Sequence, residues 1–141
     1  MKRDYATYQV ALKIFLRKGR NILFLKDENG KWDLPGGRID NVEGKMPLEK
    51  ILAREVREEL GRKVKYDLGL PAVQFRRFIH SRDIYNLITI YEAIYRGGDI
   101  KLSHEHTSFE WLNPKTYPFR RNQFSNDNEE YKALMKYFGR K

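Results

Sequence analysis

Cysteine is absent from the 141-residue chain, which excludes disulfide staples, thiolate metal sites and a cysteine nucleophile. Histidine is scarce, three residues in all, and leaves little from which to build a zinc centre. No apolar run approaches the roughly 18 residues that a membrane-spanning helix needs. The stretch MKRDYATYQV carries Asp4 and Gln9 where a secretory leader has unbroken apolar sequence, so a cytoplasmic chain with no membrane partner is expected. What the sequence has in quantity is charge: 28 Lys and Arg against 19 Asp and Glu, a formal +9. Such a surface attracts phosphate-bearing partners and speeds their arrival without naming them. With 40% hydrophobic residues and the length of one ordinary domain, a single domain over 1–141 is expected. Its chemistry has to rest on carboxylates, hydroxyls and basic groups.

Repeats, low-complexity tracts and linkers are also lacking. Tyr5 to Leu16 and Ile22 to Leu25 read as paired strands, joined by RKGR and followed by the turn sequence DENG. Trp32 to Arg38 reads as a short strand broken by Pro35-Gly36-Gly37. A helix fits Pro47 to Leu60, with Pro47 in its first turn and Gly61 as its stop. Leu52, Val56 and Leu60 fall on one stripe that should face the core. Lys63 to Leu68, Val73 to His80 and Ile84 to Tyr95 read as strands. SHEHTSFEWLNP reads as a loop leading into a short strand ended by Pro114, and Asp127 to Phe138 as a terminal helix capped by Asn126 or Asp127. The fold class is mixed α/β, without the regular alternation of a doubly wound sheet.

The segment Arg54-Glu-Val-Arg-Glu-Glu-Leu-Gly61 carries the chemical information. At 3.6 residues per turn, Glu55, Glu58 and Glu59 share one helix face. Like charges at that spacing repel by roughly 0.2–0.5 kcal/mol per pair. Anions in a last helical turn cost about 0.3–1 kcal/mol more. Something positive is therefore expected against this face. One solution is internal, with Arg54, Arg57 and Arg62 forming a charge network. The other is a hard divalent cation, magnesium or manganese, bound by clustered carboxylate oxygens. Pro35-Gly36-Gly37 is either a plain tight turn or a loop whose backbone approaches another group and points carbonyls into a site. Five of the 19 acidic residues lie between Glu43 and Glu59 in an otherwise basic chain. Such a carboxylate nest receives a polyphosphate only when metal ions bridge the two.

These residues resemble the Nudix (MutT-like) hydrolase family. Its signature runs Gly, five residues, Glu, seven residues, then Arg-Glu-apolar-any-Glu-Glu-any-Gly-apolar. Gly37 and Glu43 have the first spacing, and Arg54, Glu55, Val56, Glu58, Glu59 and Gly61 supply the second part. Two departures stand out. Ten residues separate Glu43 from Arg54, so either Glu43 is still the counterpart of the first glutamate or that role is lost, with Glu49 as another candidate. The final apolar position holds Arg62, whose core role Val64 could take.

The resemblance implies an α/β/α sandwich with a central catalytic helix. It also implies Mg2+- or Mn2+-dependent hydrolysis of a nucleoside diphosphate linked to another moiety, a small nucleotide substrate. Gly36 (through its carbonyl), Glu55, Glu58 and Glu59 would hold the metal, and Arg54 would orient the glutamates. The general base would be Glu58, with Glu105 as the loop candidate; His104 and His106 beside it read as loop residues. Arg38, Arg76 and Arg77 are phosphate-binding or merely surface residues; Asn122 and Asn126 fall where purine-sanitising members place a base-reading asparagine. Trp32, Phe75, Phe78 and Tyr85 either stack a base or pack in the core. The resemblance further allows a homodimer. Two other functions stand beside this one: pyrophosphohydrolysis at RNA 5′ ends, and a noncatalytic nucleotide-binding module.

Overall fold

The first strand, β1 (Gln9–Lys18), runs through the middle of a mixed sheet, and six consecutive residues from Ala11 to Leu16 are buried. That pattern follows from its position: both of its faces are covered, so the strand reads as an apolar run, broken only at Lys13, instead of alternating. A computed structural model describes residues 2–125 and 128–140. Among these, β1 is followed by β2 (Asn21–Asp27), β3 (Trp32–Asp33), β4 (Gly36–Arg38), α1 (Leu48–Leu60), β5 (Lys65–Ile79), β6 (Ile84–Gly97), β7 (His106–Leu112) and α2 (Asn128–Tyr137). The sheet order is β3-β2-β1-β6-β5, with β4 also paired to β1 and β7 to β2. β1 and β6 are parallel, in register from Gln9 opposite Asn86 to Arg17 opposite Ile94. The other pairings are antiparallel.

Two apolar clusters cover the two faces of this sheet. Leu12, Ile14 and Leu16 pack with Ile51, Leu52, Val56 and Leu60 of α1. Ala11 and Phe15 pack on the opposite side with Leu134, Met135 and Phe138 around α2, together with Phe119 and Phe124. The arrangement is the α/β/α sandwich expected from the resemblance. Each buried leucine or isoleucine of the α1 stripe contributes about 1.5–3 kcal/mol by leaving water, far more than the like-charge repulsion on the opposite face. Packing therefore decides that this acidic segment is a helix. Pro47 is its N-cap. Gly61 ends it at φ +90°, donating its N–H to the Arg57 carbonyl. Arg62 is exposed, and Val64 takes up packing beneath α1.

Some boundaries differ from the expected ones. β1 begins at Gln9, not Tyr5, which is 79% exposed; Tyr8, just ahead of the strand, meets β6 through its ring, against Tyr85. The expected strand at Trp32–Arg38 is two short strands, because Pro35-Gly36 moves the chain from β2's edge to β1. The two strands expected between Lys63 and His80 are one, β5, whose register against β6 shifts around Pro71. Proline cannot donate to the ladder, and the irregularity absorbs it on this outer strand. The helix α2 starts by Asn128, and the proposed capping residues Asn126 and Asp127 lie outside the described residues.

Candidate active site

Gly36 and Gly37 lie between β1 and the acidic face of α1, and a side chain at each would meet a different obstacle. Gly36 sits at φ +137°, where a Cβ would collide with the Leu12 carbonyl and Lys13 Cα. Gly37 has no such backbone constraint, but a Cβ there would lie 2.7 Å from the carboxylate carbon of Glu55. The glycine pair is thus a close-approach loop and not only a turn.

Arg54 organises the carboxylates. Its Nε donates to Glu43 Oε2, and its Nη2 donates to Glu43 Oε1 at 2.6 Å and to Glu55 Oε1 at 2.7 Å. Its Nη1 donates to Glu58 Oε1 at 2.8 Å. Glu43 is buried, at the end of a short 3-10 turn in which Asp40 accepts from the Val42 N–H and Glu43 accepts from the Asp40 N–H. The hydrogen bonds from Arg54 hold the Glu43 carboxyl below the usual carboxylate range. Glu49 is exposed in the first turn of α1, so Glu43 is the glutamate that the arginine grips despite the longer connection. Burial pushes the Glu55 carboxyl up, with Glu58 and Glu43 adding like charge and Arg54 opposing both. The side chain of Glu58 is 60% exposed and free to be reached from solvent.

Glu59 does not share this open face. It is buried, with Oε2 2.8 Å from Nδ1 of His106 in an ion-pair contact that lacks hydrogen-bond alignment. The other imidazole nitrogen, Nε2, lies 3.1 Å from Asp33 Oδ2, and Asp33 Oδ1 lies 3.0 Å from Lys13 Nζ. Burial works against charge on His106, but Asp33 and Glu59 outweigh it and push its pKa up to about 9. Burial also works to raise Asp33, yet Lys13, His106 and Arg77 hold it well below the usual carboxylate range. Glu59 itself is raised, burial outweighing His106 and Lys13.

The placement of His106 corrects its reading as a loop residue. It is the first residue of β7 and is buried, because the preceding segment is tied to the end of α1: Lys101 N–H donates to the Leu60 carbonyl and Ser103 N–H to that of Glu59. Sequence reasoning missed Lys13, Asp33 and His106. One signal was available, a lysine inside the apolar run VALKIFL, since a buried lysine demands a partner.

The remaining candidates separate. Glu105 and His104 are exposed in the turn before β7. Arg38 donates to Gln9 Oε1 on the surface. Arg76 and Arg77 hold α2 through Glu129 and Glu130, Arg77 binding both Glu130 oxygens. Trp32 and Phe75 are core residues. A cleft of about 670 Å³ is lined by Trp32, Asp33, Arg77, Phe78, Tyr85 and Asn128, among others; Asp33 therefore belongs both to this cleft and to the chain leading to Glu59. Asn122 lends its carbonyl to Lys31, and Asn126 lies outside the described residues.

The NUDIX domain model matches residues 7–135, and the chain belongs to that family. The nucleoside triphosphatase NudI of Escherichia coli O81 (strain ED1a) is 27% identical over 93 residues, which are 61% of this chain and 64% of that protein. The match thus spans somewhat under two thirds of the curated relative's length. The MutT protein of Methanosarcina mazei Go1 superposes with a TM-score of 0.73 at 22% identity, covering 97% of this chain and 94% of that one. A MutT NUDIX hydrolase from Burkholderia pseudomallei gives 0.71 at 18% identity, covering 95% and 98%. At those identities the superpositions establish the shared fold. No helix among the described residues is long and apolar enough to cross a membrane.

Proposed function

We propose that the chain is a divalent-metal-dependent pyrophosphohydrolase acting on a nucleoside diphosphate linked to another moiety. The observation that carries this reading is the convergence of Glu43, Glu55 and Glu58 on Arg54 beside a glycine loop that leaves no room for a side chain. The donor set suits a magnesium or manganese ion: carboxylate oxygens, glycine carbonyls and no thiolate. One feature fits a cation: the Glu55 carboxylate lies against Gly37, burdened by burial and by the like charge of Glu58 and Glu43. Among the described residues, no three carboxylates or imidazoles already surround one point, so loading would have to draw Glu55 and Glu58 partly away from Arg54.

Glu55, Glu58, Glu59 and the Gly36 carbonyl would hold the metal, which when bound neutralises the diphosphate and acidifies an attacking water. Arg54 pairs with the carboxylates and aims them, fixed in turn by Glu43. The exposed carboxylate of Glu58 takes the proton of the water, with Glu105 as the loop alternative. The 670 Å³ cleft, lined by Phe78, Tyr85 and Arg77 among others, offers a nucleoside-sized space next to Asp33. NudI is named a nucleoside triphosphatase, which supports a nucleotide as the substrate class. The test is a magnesium-dependent screen of nucleoside triphosphates, nucleotide sugars, dinucleoside polyphosphates and 5′-triphosphate RNA, read as phosphate after phosphatase treatment. Turnover of small nucleotides that disappears with chelator supports the reading; no turnover of any of them overturns it.

A further inference from the structure

Glu59 occupies a costly position. It lies in the last turn of α1, where the helix dipole disfavours an anion, and its side chain is only 8% exposed. Four side chains from four elements make the position tenable: Lys13 of β1, Asp33 of β3, His106 of β7 and Glu59 of α1. Their charges alternate along contacts of 3.0, 3.1 and 2.8 Å. Lys13 is anchored further by donating to the Leu34 carbonyl at 3.2 Å. Lys13 extends on the α2 face of the sheet, with Ala11 and Phe15, while Glu59 belongs to the helix on the other face. The row of charges passes from one layer of the sandwich to the other.

We propose that His106 is a positioning residue for Glu59: braced by Asp33 and Lys13, it holds Oε2 and leaves Oε1 as the oxygen offered to a divalent cation. This rests on the reading of Glu59 as a metal-holding residue. A buried carboxylate paired through one oxygen with a braced imidazole is restrained, so part of the entropy of ordering it is lost on folding and not on ligand binding. Partners behind a metal-holding group typically change metal affinity by about 10–100-fold when removed. A purely structural ion-pair row would instead affect melting and leave metal affinity alone.

Amide substitutions separate these two roles. The side-chain nitrogen of asparagine falls near the Nδ1 position and faces Glu59, whereas that of glutamine falls near Nε2 and faces Asp33. Both remove the imidazole charge. The experiment is Mn2+ titration of the full chain, followed by the electron paramagnetic resonance signal of free Mn2+, with apo melting in chelator measured alongside. His106→Gln should weaken Mn2+ binding by about 10–100-fold, and His106→Asn by no more than about threefold, with similar apo melting temperatures for the two. Equal Mn2+ affinity in both, whether matching the parent or falling together, overturns the proposal. Asp33→Asn leaves Glu59 and His106 in place and gives a second reading should the glutamine variant not fold. It should weaken Mn2+ binding by about tenfold, and unchanged affinity overturns the proposal. A parent chain that binds no Mn2+ removes the metal reading itself, and this proposal with it; a parent that binds while the variants match it removes only the role of His106.

Discussion

Arg54 reaches back eleven residues along the chain to hold both carboxylate oxygens of Glu43. The longer connection between the two residues is accommodated outside this contact, in the exposed segment from Gly44 to Pro47. The Arg54–Glu43 pairing forms across the longer connection because the 3-10 turn at Asn41–Glu43, with its reciprocal Asp40–Glu43 caps, sets Glu43 before the exposed segment begins.

Glu58→Gln keeps the size of the side chain and removes its charge. Because Glu58 is 60% exposed, the lost ion pair with Arg54 should cost no more than about 1 kcal/mol. Turnover should fall by at least about 100-fold. Steady-state kinetics and melting on the same preparation check both halves, and near-normal turnover would remove Glu58 from the chemistry.

Glu105→Gln tests the rival base. With Glu58 in that role, the variant should keep turnover within a few-fold of the parent. A loss as large as that of Glu58→Gln would transfer the role to Glu105, whose exposed turn would then have to close over the substrate.

The two glycines should respond differently to alanine. Gly36→Ala places a methyl group against backbone at a positive φ, a strain of roughly 3 kcal/mol or more and a melting loss near 10 °C. Gly37→Ala meets only the carboxylate of Glu55, which can rotate away. Its melting temperature should change by a few degrees, while Mn2+ affinity falls by about tenfold or more. Equal loss of stability in both would contradict the geometry.

Stability should fall as pH rises across the neutral range. His106 has its pKa raised from 6.5 in the unfolded chain to about 9 in the folded protein. Its contribution is therefore complete below pH 6.5 and lost as pH rises through 9. The size is on the order of 3 kcal/mol. Chemical denaturation at pH 6 and pH 9.5, in chelator, should show the decline in the parent and a flatter profile in His106→Asn.

The parts of this structure that were legible in the sequence are those set by local pattern. The stripe of Leu52, Val56 and Leu60, closed by Gly61, specifies α1 wherever it docks, and the same spacing puts Glu55 and Glu58 together. Glu59 obeys the same periodicity but leaves the open face because His106, 47 positions later, meets it; the burial of His106 depends on β7 pairing with β2 and on the hydrogen bonds from Lys101 and Ser103 to α1. Arg76 and Arg77 are adjacent on β5, and nothing in their own segment shows that both turn to the glutamates of α2. Arg54 was one of three cations available to the acidic face; its double contact with Glu43 required a turn whose capping is visible only in three dimensions.

The parallel pairing of β1 with β6 has a consequence for how the chain is made. Gln9 leaves the ribosome long before its partner Asn86, and the last residue of β6 is Gly97. Until then β1 has only β2 and β4 as neighbours, and one edge of an extremely apolar strand stays open. Among the described residues, the central strand is thus the first strand made and among the last to be completed. Nascent chains stalled with Tyr85 still in the exit tunnel should show rapid amide exchange along β1's β6-facing edge, with protection appearing once residue 97 has emerged. Slowing synthesis between residues 27 and 84 should therefore raise aggregation more than slowing it after residue 100.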